Sequence, residues 1–220
     1  MNLIPFFFKK EFFYQFVKSS ELAMVYLYLI ISLIYGQSKY LFLSMLVIGS
    51  AYINYFFKNN ISKHIFEKFG DYIPFFGQGT RPEGAVDCGF FKNCPPELSK
   101  SFGFPSGHSQ FAGINSGFLI KDILDKNTTD GKFSSLKPTD KFSVVFLIFL
   151  VFVMMYARVC IEKCHTFEQT LFGASAGLFL GFKSHDLYSY INNKYNNILR
   201  MDSVFKRVVI SLIFFYISMF

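Results

Sequence analysis

The stretch Phe142 to Ala157, FSVVFLIFLVFVMMYA, carries no charged side chain from end to end. A helix rises about 1.5 Å per residue, so roughly 20 such residues cross a bilayer core. A backbone in hydrocarbon must satisfy its own hydrogen bonds, and a run of this kind predicts a membrane-spanning helix. Leu22 to Tyr35 and Tyr40 to Phe57 read in the same way. Three further blocks, Phe111 to Leu124, Gln169 to Phe182 and Val208 to Phe220, are short or diluted by polar residues. The fifth block carries Gly173, Gly177 and Gly181 at four-residue spacing, a small-residue stripe that lets two membrane helices approach closely. The expected architecture is all-α, a polytopic transmembrane bundle of about six helices.

Composition points the same way. Apolar residues make up 52% of the 220 and aromatic residues 20%, with 32 phenylalanines, more than a water-soluble domain uses. Met1 to Lys18 mixes Phe with Lys9, Lys10 and Lys18. Charge interrupts its apolar run, which suits a helix lying in the membrane interface better than a cleaved signal peptide. The expected division is therefore residues 1–20 as an interfacial helix and residues 21–220 as one membrane domain. No internal repeat, low-complexity tract or linker divides that domain. The net charge of +7 comes from lysines scattered between the apolar spans. They form no basic face interleaved with aromatics, so the charge speaks for lipid headgroups and phosphate and against nucleic acid.

With six spans, the loops Lys58 to Gln110 and Arg158 to Glu168 lie on the same side as the N-terminus. They bring Arg81, Ser106, His108, Arg158 and His165 to one membrane face. Lysine and arginine number eleven on each side of the membrane. Setting aside Lys63, Arg81 and Arg158 as phosphate ligands leaves eight against eleven, which leans that face toward the lumenal or outer side. Glycosylation signals stand on both sides, at Asn60-Ile61-Ser62 and Asn127-Thr128-Thr129, and at most one of them can face a lumen.

Phe104-Pro105-Ser106-Gly107-His108-Ser109 precedes an apolar block, at the expected start of a helix. Free backbone N–H groups and the helix dipole attract anions there, Gly107 lets the backbone come close, and Ser106 adds a hydroxyl. Thr80-Arg81-Pro82 offers a guanidinium able to grip phosphate through two parallel hydrogen bonds, beside a stiffened backbone. Tyr156-Ala157-Arg158 closes an apolar span, and His165-Thr166-Phe167-Glu168-Gln169 opens the next. His165 and Gln169 are four apart and share a helix face, so Gln169 can orient the imidazole. Each segment alone also has a plainer reading: Ser106 as a helix cap, His108 as an interfacial histidine, Arg-Pro as a loop dipeptide, Arg158 as a snorkelling anchor.

Taken together, the three segments resemble the phosphatidic acid phosphatase type 2 superfamily, whose pattern is Lys-x6-Arg-Pro, then Pro-Ser-Gly-His, then Ser-Arg-x5-His-x3-Asp. The resemblance covers about residues 59–181. Pro105-Ser106-Gly107-His108-Ser109-Gln110-Phe111 and His165-Thr166-Phe167-Glu168-Gln169-Thr170-Leu171-Phe172-Gly173 look most like the dolichyl diphosphatase branch. Only the second motif is intact. Seven residues before Arg81 stands Pro74, and Lys63, preceded by Asn59 and Asn60, is the expected replacement for the family lysine, with Lys68 as the alternative. In the third motif Ala157 replaces serine, six residues separate Arg158 from His165, and Gln169 replaces aspartate. Neighbouring Glu168 is the alternative orienting group.

The resemblance implies a metal-independent membrane phosphatase, a hydrolase of phosphoric esters or diphosphate anhydrides that needs no cofactor. Its substrate would be a polyisoprenyl or dolichyl diphosphate or phosphate, alongside membrane lipids. His165 would attack phosphorus to give a phosphohistidine, and His108 would protonate the departing oxygen and later activate water. Lys63, Arg81, Ser106, Gly107 and Arg158 would hold the phosphate oxygens. A phosphatidate or sugar-phosphate phosphatase, or an inactive lipid-binding relative, are the competing readings. The implied location is the endoplasmic reticulum or an equivalent membrane. Cys88, Cys94, Cys160 and Cys164 fit no zinc spacing, so no metal is expected, whereas disulfides are compatible with a lumenal face.

Overall fold

The computed structural model of the protein describes residues 10–86, 98–99 and 101–194, with side chains from residue 19 onward. It is mostly helical. The helices are α1 (Lys10–Tyr35), α2 (Ser38–Phe56), α3 (Lys63–Phe69), α4 (Gly107–Asn127), α5 (Pro138–Tyr156) and α6 (Phe167–Lys194). A π-helical turn, Phe57–Ser62, joins α2 to α3, and another, Ala157–Ile161, closes α5. A short antiparallel ladder pairs β1 (Tyr72–Ile73) with β2 (Gly77–Gln78).

Among the described residues, two helices are long and apolar enough to cross a membrane: Ser38–Phe69, which runs from α2 through α3, and Pro138–Ile161, which is α5 with its π turn. Ser19–Tyr35 is a shorter apolar helix. On α5, Phe142, Phe146, Phe149, Phe152 and Tyr156 are all exposed, and a stripe of aromatics that long needs an apolar surrounding. The blocks expected at Phe111 to Leu124 and Gln169 to Phe182 fold into α4 and α6. Their hydropathy is lowered by residues that face inward, among them Ser109, Gln110, Asn115, Ser116, Asp122, Gln169 and Thr170, all buried. The described residues thus carry two helices of spanning character where six spans are expected from the sequence, and the block Val208 to Phe220 lies outside them. Helix α1 runs unbroken through the expected boundary near residue 20.

The central pair is α4 against α6. A Cβ on Gly173 would collide with the carbonyl oxygen of Ser106, one on Gly177 with that of Gln110, and one on Gly181 with that of Ile114. Across the seam, a Cβ on Gly113 or Gly117 would meet the backbone of Ala174 or Leu178. The four-residue stripe read from the sequence is therefore the surface on which two backbones touch. Replacing Gly177 by valine is expected to lower stability by about 1–3 kcal/mol or more, because backbone must give way. Thermal unfolding in detergent checks this, and Leu171→Ala on the exposed face of the same helix is expected to change little.

Away from those helix starts, at the far end of the pair, a closed charge network fastens α2 to α4 and α6. Lys39 Nζ lies 2.8 Å from Asp122 Oδ2 and Lys126 Nζ 2.9 Å from Asp122 Oδ1, with His185 Nε2 3.4 Å from the latter. Tyr28 Oη donates to Asn115 Oδ1 at 2.6 Å, tying α1 to the same pair. These contacts set the register in which α4 and α6 present their N-termini together.

Candidate active site

Four chain segments end near one another. Ser106 caps α4, His165 stands two residues before α6, and the two π turns finish α2 and α5 with a basic residue each, Lys58 and Arg158. A π turn widens the helix by one residue and is frequent at functional sites. Here each turn carries a cation toward the bundle: Lys58 is half-buried, and Arg158 is 1% exposed.

His165 is buried and its ring is fixed from both edges. The amide nitrogen of Gln169 donates to the carbonyls of Gln78 at 2.7 Å and Thr80 at 2.6 Å. That leaves Gln169 Oε1 as an acceptor, and it lies 2.9 Å from His165 Nδ1 while also receiving the Thr166 N–H at 3.2 Å. With an oxygen opposite Nδ1, the ring proton sits on Nδ1 and Nε2 carries the lone pair. Arg81 Nη1 stands 3.4 Å from that Nε2. Burial holds the His165 pKa well below 6.5, and the positive charges of Lys58, Arg81 and Arg158 push it the same way, against the hydrogen bond it donates to Gln169. The imidazole is thus neutral at neutral pH, in the tautomer that a nucleophilic Nε2 needs.

Arg81 is held by the loop on its other side. Its Nη2 donates to Ser101 Oγ at 2.9 Å, its Nε reaches Ser101 at 3.2 Å, and its Nη1 donates to the Cys164 carbonyl at 3.0 Å. The hairpin β1–β2 sets the approach. Asp71 accepts from the Thr80 N–H at 2.9 Å and the Thr80 hydroxyl at 2.7 Å, while Gly79 O accepts from both Gly103 and Phe104 N–H at 3.0 Å. Burial and the neighbouring charge of Arg158 push the Arg81 guanidinium down to about 10, so it stays charged at neutral pH. Arg81 opens into a polar cavity of about 360 Å³ lined also by Lys63, Thr80 and Ser101.

Ser106 is the N-cap of α4, yet its side chain makes no capping hydrogen bond; its Oγ accepts from Ser109 Oγ at 3.2 Å. Ser106 N–H donates to Gln169 O at 3.0 Å, which ties the start of α4 to the helix that carries Gln169. Asn54 Oδ1 lies 3.2 Å from where a Cβ on Gly107 would stand, and Asn54 Nδ2 donates to Gln110 Oε1 at 2.6 Å. His108 Nδ1 lies 3.4 Å from Glu21 Oε1 on α1.

Arg158 forms a buried ion pair with Glu162, one turn on. Glu168, the alternative orienting residue, packs its side chain where a Cβ on Gly77 would go and leaves the contact with His165 to Gln169. Lys63 is exposed, 3.8 Å from Glu67, at the rim of the Arg81 cavity, and exposed Lys68 lies over the Phe69 ring. Lys58, Glu21 and Glu162 are site neighbours that sequence reading did not single out. For Lys58 a signal exists, since it closes an apolar span as Arg158 does.

For metals, Asp125, His185 and Asp186 bring ligand atoms within 4.8 Å of one another at the far end of α4 and α6. Lys121 Nζ already stands 2.6 Å from Asp125 and 3.4 Å from Asp186. Cys160 is an exposed free thiol and Cys164 is disulfide-bonded, while Cys88 and Cys94 lie outside the described residues. No curated protein and no solved structure matches the chain. A family model described as the PAP2 superfamily matches residues 39–193.

Proposed function

The chain belongs to the PAP2 superfamily, whose members are phosphatases of the phosphatidic acid phosphatase type, and on that footing we propose that it hydrolyses a lipid-linked diphosphate or phosphate through a phosphohistidine. The observation that carries the reading is the clamp on His165. Gln169 holds Nδ1 and leaves Nε2 as the attacking atom, beside the Arg81 guanidinium. Nε2 attacks phosphorus in line, His108 gives its proton to the departing oxygen, and the same histidine then takes a proton from the water that cleaves the phosphoenzyme. Arg81, Arg158, Ser106 and the Gly107 amide hold the equatorial oxygens as charge builds on them.

The first-motif cation is better supplied by Lys58 than by Lys63. Lys58 is half-buried and among the cations that lower the His165 pKa, whereas Lys63 is exposed and pairs with Glu67 at the cavity rim. A lipid substrate is supported by two apolar cavities beside the site. One, of about 560 Å³, is lined by Phe66, Phe76, Phe104 and Phe172, and another, of about 270 Å³, runs between α1, α2 and His108. The disulfide at Cys164 supports an active face in an oxidising, lumenal or outer compartment, since such bonds persist there. The polyisoprenyl branch rests on the Ser-Gly-His-Ser-Gln and His-Thr-x-x-Gln segments.

Phosphate release by purified protein in detergent with EDTA tests this reading, over dolichyl diphosphate, undecaprenyl diphosphate, phosphatidate and a sugar phosphate. Turnover of the polyprenyl diphosphates above the others is expected; preference for another substrate reassigns the branch, and a requirement for added metal contradicts the mechanism. Lys58→Ala is expected to lower kcat/KM about 10- to 100-fold and Lys63→Ala less than about threefold. The reverse order would return the first-motif role to Lys63.

A further inference from the structure

From the site as read above, one carboxylate stands unused. Glu21 lies on α1, far in sequence from every motif residue, yet its side chain is only 12% exposed and its Oε1 is 3.4 Å from His108 Nδ1. A glutamate turned into a helical bundle rather than to water or headgroups is costly unless it has a partner there. Besides His108 on α4, the charged groups whose fields reach it are Lys58 after α2 and Arg158 and Glu162 after α5. The pair also lines, with Ser50 and Asn54, a mainly apolar cavity whose other walls include Leu22, Val25, Val47 and Phe111, room for the apolar part of a lipid leaving group.

We infer that Glu21 is the positioning residue for the leaving-group acid, a carboxylate that accepts the Nδ1–H of His108 and keeps its Nε2–H aimed at the departing oxygen. The inference rests on the phosphatase reading given above. In the first half-reaction the bond from phosphorus to the leaving oxygen breaks, its electron pair stays on that oxygen, and the His108 Nε2 proton moves to it. In the second half-reaction neutral His108 takes a proton from water as the water oxygen bonds to phosphorus, and the phosphohistidine N–P bond breaks. In both, Glu21 holds Nδ1 and takes no proton of the reaction. It favours the imidazolium by charge and selects the tautomer by geometry, as a carboxylate behind a catalytic histidine does. Glu21 would thus set how basic a leaving group the enzyme can expel.

Three variants of the full chain in detergent test this: Glu21→Gln, which keeps the shape and loses the charge, Glu21→Asp, which keeps the charge, and His108→Ala as reference. Turnover is compared on an alkyl phosphate, whose leaving oxygen needs a proton, and on a nitrophenyl phosphate, whose leaving oxygen does not. Glu21→Gln is expected to lower kcat on the alkyl ester about tenfold or more and on the aryl ester severalfold less. Its alkaline limb of kcat/KM should move to lower pH, and Glu21→Asp should recover part of both effects. Equal losses on the two esters with an unmoved pH profile would mean that Glu21 merely packs, and would overturn the inference. A second readout needs no substrate: the His108 resonance in histidine-labelled protein should titrate at lower pH in Glu21→Gln, and an unchanged midpoint overturns the pairing. A shifted midpoint in a wild-type protein that releases no phosphate supports the pairing and rejects the phosphatase reading, so the two failures are distinct.

Discussion

Substituting His165 by alanine is expected to reduce phosphate release by a factor on the order of 10⁴ or more, with the protein still folded, because a covalent route loses its attacking atom. The geometry makes the expectation specific. Gln169 fixes the ring by Nδ1, and the pocket that Arg81 and the hairpin build around Nε2 does not need the imidazole for its own hydrogen bonds. Gln169→Ala should therefore cost less, about 10- to 100-fold, since the ring remains but loses its orientation. Wild-type levels in His165→Ala would remove the nucleophile from the proposal.

The same residue sets an acid limit. Burial and the charges of Lys58, Arg81 and Arg158 depress the His165 pKa well below 6.5. The attacking nitrogen therefore stays unprotonated through mildly acidic pH, and the acid limb of kcat/KM for the free enzyme should lie below 6.5. For stability the sign is opposite to that of a paired histidine. The folded state binds the His165 proton less readily than the unfolded chain, so stability is fully present above pH 6.5 and falls as pH drops toward the folded pKa. His165→Ala should flatten that part of the stability curve, as unfolding at several pH values in detergent would reveal.

The segments that could be read from sequence are those whose meaning is local. The Pro105 to Phe111 segment and the i, i+4 pair of His165 and Gln169 carry their geometry in their spacing, and the Gly173, Gly177, Gly181 stripe announces a close helix seam. Glu21 and Glu162 could not be found this way. Glu21 meets His108 across 87 positions of chain, and nothing local to either marks the other. The place of Lys58 at the end of an apolar run is a signal, but one that a lysine reaching for headgroups gives as well. Lys63, which comes shortly after Asn59 and Asn60 as in the family pattern, lies five residues, or about 7.5 Å of helix rise, further along. The polar content of α4 and α6 lowers their hydropathy for a related reason: the residues that face the site are those that dilute the apolar signal.

Arg158 and Glu162 make the second large expectation. Both are buried, at 1% and 7% exposure, and they pair one turn apart. Removing one charge of a buried pair leaves the other without compensation, so Arg158→Ala is expected to destabilise by about 3–5 kcal/mol and to lower kcat on the order of 10²- to 10³-fold through loss of an oxygen ligand. Those two effects are confounded in the single variant. The double variant Arg158→Met, Glu162→Leu separates them, because an apolar pair of similar bulk removes the uncompensated charge and should restore most of the unfolding temperature. Activity should stay at the level of Arg158→Ala, since no apolar side chain can hold a phosphoryl oxygen. Glu162→Gln works from the other side: it keeps the guanidinium and frees it from its carboxylate, so KM should fall or hold while stability drops. Recovery of turnover in the double variant would make the pair a structural fastening of the π turn and would leave Arg81 and Lys58 to hold the phosphate.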